Sequence, residues 1–197
     1  MNWNIEQTLK AWQLATAHHD GQTYGGENEG EHIPYLSHIG SVAFEVINAL
    51  PYEKGVDATL AVLCAILHDT VEDTELQKAD IQARFGEEVA EGVSALSKNG
   101  ALKSKEERML DSLARINKRP REIAMVKMAD RIVNLSGPPY YWDDDKKREY
   151  LAEAKVIHEQ LGYASVYLAG RLALKIKGYE GFIGGQGCGE AFIVNNL

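Results

Sequence analysis

Apolar residues recur at three- and four-residue spacing along most of this chain, the period of helices that bury one side. Residues 3–19 set Ile5, Leu9, Trp12 and Ala15 in one stripe. Gly21 to Glu31, with glycines at 21, 25, 26 and 30, reads as a loop. Pro34 sits where a first-turn proline belongs. The helix behind it carries Ile39, Val42, Ala43, Val46 and Ile47 and runs to about Leu50, before Pro51 and Gly55 break it. Asp57 can cap a third helix, Ala58 to about Thr70, which is apolar on most sides and therefore central. Further helices are expected over residues 80–85 and 87–96, either side of Gly86, and over about 105–117, 121–135, 143–161 and 164–177. Residues 97–104 read as a loop, and no strand-like alternation lasts five residues ahead of Gly181. The expectation is an all-α bundle of about eight helices, one domain over 1–177, with a glycine-rich C-terminal extension over 178–197.

Composition excludes several classes. With 45% hydrophobic and 25% charged residues, the chain is ordinary for a globular protein. The longest apolar run, Leu60 to Leu67, is eight residues, too short to span a bilayer. The first residues lack the basic-then-apolar order of a signal peptide, so a cytoplasmic location without membrane association is expected. Two cysteines, Cys64 and Cys188, make neither a disulfide framework nor a zinc knuckle. A net charge of −8 argues against nucleic acid as a partner. Lys98 to Arg131 nevertheless holds ten basic residues against five acidic ones, a local excess suited to a small anionic ligand.

The candidate chemistry lies in His68-Asp69-Thr70-Val71-Glu72-Asp73, which follows directly on Ala61-Val62-Leu63-Cys64-Ala65-Ile66-Leu67. Carboxylates are rarely placed deep inside unless paired or bound to metal. An adjacent His-Asp pair at the end of a buried helix can offer one nitrogen and one oxygen to the same cation. If the helix continues, His68 and Glu72 share a face, as do Asp69 and Asp73, leaving two further carboxylates one turn away. His38 in Pro34-Tyr35-Leu36-Ser37-His38 and Asp130 in Val126-Lys127-Met128-Ala129-Asp130-Arg131 are further polar residues in apolar helices. Singly each has a bland explanation. In the order His, His-Asp, Asp they point to one metal centre.

These segments, with Arg84-Phe85-Gly86 and Ile132-Val133-Asn134-Leu135, resemble the HD-domain metal-dependent phosphohydrolases. The run His68-Asp69-Thr70-Val71-Glu72-Asp73-Thr74 narrows this to the RelA/SpoT hydrolase branch and its small, Mesh1-like members. The resemblance implies His38, His68, Asp69 and Asp130 as ligands of Mn²⁺, with Fe²⁺ or Zn²⁺ also suited to such donors. It implies Glu72 and Asp73 as the acid–base pair, Asn134 and Tyr150 as sugar and base contacts, and Lys103 and Lys146 as cations near the phosphates. The implied reaction is hydrolysis of the 3′-pyrophosphate of (p)ppGpp or (p)ppApp by a manganese-activated water.

The chain departs from that pattern after His19-Asp20-Gly21-Gln22-Thr23, where Tyr24-Gly25 replaces a basic pair, so Tyr24 becomes a candidate to stack on the base. That departure keeps two alternatives open: phosphate removal from NADPH or a nucleoside monophosphate, and a non-catalytic nucleotide sensor. The partner expected is a small nucleotide, with a homo-oligomer left open. With 35 residues after position 162, no synthetase domain is expected.

Overall fold

The computed structural model describes residues 2–184. Its elements are α1 (Ile5–His18), β1 (Thr23–Gly25), β2 (His32–Pro34), α2 (Tyr35–Ala49), α3 (Ala58–Leu67), α4 (Thr70–Asp73), α5 (Lys78–Phe85), α6 (Glu87–Leu96), α7 (Lys105–Ile116), α8 (Arg121–Asn134), α9 (Asp144–Leu161) and α10 (Val166–Tyr179). The fold is all-α, as expected, with the helices starting and ending within a few residues of the positions read from the sequence.

Helix α3 is the axis of the bundle. Nine of its ten residues are buried, and α1, α2, α6 and α8 pack around it. Asp57 caps it, its Oδ1 accepting from the backbone N–H of Thr59 (2.8 Å) and Leu60 (3.0 Å). Helix α6 approaches closely because Gly92 has no side chain: a Cβ there would lie 2.5 Å from Ile123 Cδ1 and 2.9 Å from Cys64 Sγ. Helix α8, the other central element, buries Glu122 through Val126 and Met128 through Ile132.

Three details differ from the sequence reading. Helix α1 packs through Ala11, Leu14 and Ala15, while Ile5, Leu9 and Trp12 of the expected stripe face outward. The small alanines let the backbones of α1 and α3 come together, which the larger side chains would prevent. The expected loop after Gly21 contains a short antiparallel hairpin, with Tyr24 opposite Ile33 and Thr23 opposite Pro34. Three residues a side are too few to show a period. Helix α10 runs on to Tyr179 and is followed by a 3₁₀ turn over Glu180–Phe182, past the boundary placed at 177. Residues 185–197 of the expected extension lie outside the described residues. No helix among the described residues is long and apolar enough to cross a membrane.

Candidate metal centre and cleft

Three helices meet at one electron-rich point. His38 projects from the first turn of α2, His68 and Asp69 from the junction of α3 and α4, and Asp130 from α8. The helix expected to reach about Thr70 stops at Leu67, and α4 begins at Thr70, whose hydroxyl donates to the Leu67 carbonyl (2.7 Å). His38 Nε2 and His68 Nε2 are 3.2 Å apart. Asp69 Oδ2 lies 2.9 Å from His68 Nε2 and 3.6 Å from His38 Nε2, and Asp130 Oδ1 lies 3.5 Å from His38 Nε2. One donor atom from each of His38, His68 and Asp130 falls within 4.8 Å of the other two.

This donor set fits a divalent metal ion. The Ala65 carbonyl lies 2.8 Å from His68 Nδ1, a contact that fixes the proton there and leaves the Nε2 lone pair facing the centre. Two imidazole lone pairs and two carboxylates facing one another in a buried site repel unless a cation lies among them. The charge balance of the side chains says the same. Burial alone would lower the His68 imidazole, but Asp69 and Asp130 raise it to about 9. Burial would raise Asp130, but Lys127, His68 and His38 hold it at about 2. Asp69 is held well below its ordinary value against its burial by the two histidines. The four groups attract positive charge to one place, and nitrogen plus oxygen donors suit Mn²⁺, Fe²⁺ or Zn²⁺.

The two further acids stand beside the centre, not in it. Glu72 is gripped from two sides by Lys98, its Oε1 accepting from Nζ (2.7 Å) and its Oε2 from the backbone N–H (2.8 Å). Asp73 Oδ2 is 3.2 Å from the Tyr35 hydroxyl, which donates a shorter bond to Asp69 Oδ2 (2.6 Å). Burial, then the charges of Asp69 and Glu72, raise the Asp73 carboxyl above its ordinary value.

These groups line one cleft of about 850 Å³, large enough for a nucleotide. Asn134 lies in its wall and donates to Asp130 Oδ1 (2.6 Å). Tyr150 is there too, its ring covered by the Arg131 guanidinium 4.1 Å from the ring centroid, with Trp142 edge-on at 5.0 Å. Tyr24 lines the hairpin side, 6.5 Å from the His38 ring. Lys146 lines the far side and stands close enough to Lys105 to lower that amine. Lys103 does not line the cleft, whereas Lys105 does. The reason is local: Ser104 caps α7, its Oγ accepting from Glu107 N–H (3.0 Å) while Glu107 Oε2 accepts from Ser104 N–H (3.0 Å). That box sets Lys105 on the first helical turn and leaves Lys103 in the exposed loop before it. The sequence reading thus missed Lys105, and also Tyr35 and Lys98 as partners of the acids. Tyr35 lies three residues before His38, the spacing of one helix face, which is a signal it could have used.

The HD domain family matches residues 11–162, a span that holds every residue named in this site. Among curated proteins, the guanosine-3′,5′-bis(diphosphate) 3′-pyrophosphohydrolase MESH1 of Xenopus tropicalis is 28% identical, covering 83% of this chain and 89% of that protein. MESH1 of Homo sapiens is also 28% identical, over 76% of this chain and 82% of its own length. The bifunctional (p)ppGpp synthase/hydrolase SpoT of Escherichia coli is 30% identical over 81% of this chain, which spans only 22% of that longer protein. A solved structure described as a metazoan ortholog of SpoT that hydrolyzes ppGpp has the same fold, with a TM-score of 0.76 over 90% of this chain and 98% of its own, at 21% identity. With three helices delivering the two histidines and two aspartates inside that matched span, the chain belongs to the HD-domain family.

Proposed function

We propose that this chain hydrolyses the 3′-pyrophosphate of a guanosine or adenosine alarmone, (p)ppGpp or (p)ppApp, giving pyrophosphate and a nucleoside 5′-di- or triphosphate. The observation that carries the proposal is the buried meeting of His38, His68, Asp69 and Asp130 with Glu72 and Asp73 beside them in a nucleotide-sized cleft. The names of the MESH1 and SpoT relatives support it.

His38, His68, Asp69 and Asp130 would hold the metal, with Mn²⁺ our choice. Bound there, it supplies positive charge to the phosphoryl oxygens and makes water more acidic. The remaining work falls to the side chains of the chain itself. A water oxygen bonds to the phosphorus next to the ribose, the P–O3′ bond breaks, and the 3′-oxygen leaves with a proton. Glu72 and Asp73 take the proton from the water and return one to the leaving oxygen. Lys98 fixes the Glu72 carboxylate from two directions, and the Tyr35 hydroxyl steadies Asp69 and Asp73 together. The pair of Lys98 and Glu72 is partly exposed, so as a surface ion pair it adds at most about 1 kcal/mol of stability; its value lies in aiming the carboxylate. Lys105 and Lys146, two cations side by side, offset the charge of the phosphates. Tyr150, held by Arg131 and Trp142, and Tyr24 offer ring faces to the nucleoside, and Asn134 offers its amide.

The deciding experiment is a product assay on guanine and adenine alarmones with added Mn²⁺ and with a chelator in parallel. Pyrophosphate release that the chelator abolishes is expected. The absence of Arg-Lys at Tyr24-Gly25 favours one second reading, in which NADPH or a nucleoside monophosphate is the substrate. Orthophosphate from those compounds, with alarmones untouched, would establish it.

A further inference from the structure

Among the described residues, nothing covers the apolar stripe of α1. Ile5 is 54% exposed, Leu9 50% and Trp12 37%, although their spacing is that of a packing face. The stripe continues onto α2. A Cβ on Gly40 would lie 3.6 Å from Trp12 Cη2 and 4.0 Å from Phe44 Cε2, so both rings border that glycine, and Phe44 is 71% exposed. Ile5, Leu9, Trp12 and Phe44 thus set four large exposed apolar side chains on two neighbouring helices, a grouping of the kind that marks an interaction site. It is built from α1 and α2, away from the cleft, whose lining includes none of the four.

Charge says what covers it. At about 100° per residue, Glu6 and Lys10 fall together on one flank of the stripe. Neither has an ion-pair partner among the described residues. When two identical helices pack antiparallel about a two-fold axis, each flank meets the same flank of its partner. Glu6 of one copy then faces Lys10 of the other, twice, while Ile5 faces Trp12 and the Leu9 side chains meet near the axis. The arrangement is complementary to itself without any change of residue. It also suits a chain of net charge −8, whose copies repel in general. Apart from its C-terminal histidine, α1 carries one acid and one base, so this is a face at which two copies can approach without that penalty. A lipid surface fits poorly, because an interfacial helix needs a strongly cationic polar face and α1 has a single lysine.

We propose that this chain self-associates through α1 and Phe44 about a two-fold axis, with Glu6 of each copy paired to Lys10 of the other. The test is sedimentation of the full chain over about 1–100 µM, the range in which a modest apolar interface assembles. The wild type should shift from monomer to dimer mass. Leu9→Glu should remain monomeric with an unchanged melting temperature. Glu6→Lys should weaken association by at least about tenfold, since it sets like charges opposite one another. The double variant Glu6→Lys with Lys10→Glu should recover to within about threefold of wild type, because the swap restores both pairs. A wild type that stays monomeric overturns the proposal, as does a dimer indifferent to Leu9→Glu or not rescued by the swap. So does Leu9-dependent binding to phosphatidylcholine–phosphatidylserine vesicles in place of self-association.

Discussion

Two of the regions that bury ionisable groups treat them in opposite ways. Around the start of α10, Glu53 is 8% exposed and every oxygen has a donor: Oε1 accepts from the Ser165 hydroxyl (2.5 Å) and Oε2 from Arg121 Nη1 (3.3 Å). Arg121 also donates to the Ala164 carbonyl (3.3 Å) and to that of Lys54. Nearby, Glu122 Oε1 accepts from the Asp57 backbone N–H (2.7 Å), joining the capped start of α3 to α8. The network closes on itself. At the other region, His38, His68, Asp69 and Asp130 turn their acceptors toward one another, and among the described residues only Tyr35, Lys127 and Asn134 contribute side-chain donors. That network gathers acceptors of the kind a divalent cation would draw together. A closed buried network serves the fold, and an open one serves a ligand.

The contrast breaks hardest at the open end. Asp69→Ala should abolish binding of a divalent metal ion, measured by metal analysis of the purified protein, together with detectable turnover. Glu72→Gln should keep the metal and fold yet lose about 10²–10⁴ in kcat, the usual worth of an acid–base group. A Glu72→Gln enzyme that retains full kcat would remove Glu72 from the mechanism. Next in size is Lys98→Met, expected to lower kcat by about 10–100-fold, as outer partners of reacting groups do. Lys98→Arg should regain part of it. If Lys98→Met changes only KM, the lysine serves the phosphates and not Glu72.

The same contrast explains what the sequence showed and what it hid. His38, His68, Asp69 and Asp130 were legible because each is a polar residue inside an apolar helical run, where chance and solubility offer no reason for it. The helices were legible because α3 and α8 are apolar enough to be central whatever packs on them. Which side of α1 turns inward was not legible. Its period of 3.6 is satisfied by Ala11, Leu14 and Ala15 as well as by Ile5, Leu9 and Trp12, and the choice falls on close approach of backbones, a property of the partner α3. Lys105 was readable in principle through the Ser104–Glu107 capping box, which sets where α7 begins, whereas Lys103 rested on the family resemblance alone, in a loop with no local pattern. The closed network around Glu53 joins residues more than one hundred positions apart, and no local pattern announces such a pairing.

The smallest effect is the one that sharpens the comparison most. Ser165 caps α10, its Oγ accepting from Leu168 N–H (3.0 Å) while donating to Glu53 Oε1. Ser165→Ala therefore removes a helix cap and one of the donors that close the network. Loss of a cap costs about 1 kcal/mol, and the freed Glu53 oxygen adds a cost of about 1 kcal/mol or more. For a chain of this size that corresponds to a melting temperature lower by roughly 4–8 °C. Turnover and metal content at 25 °C should match wild type, because α10 contributes nothing to the cleft lining. Glu53→Ala made in the Ser165→Ala background should cost less than in wild type, since the two residues share a bond. Strictly additive losses would show that the Glu53 network is not a unit, and the distinction between closed and open burial would then rest on the metal centre alone.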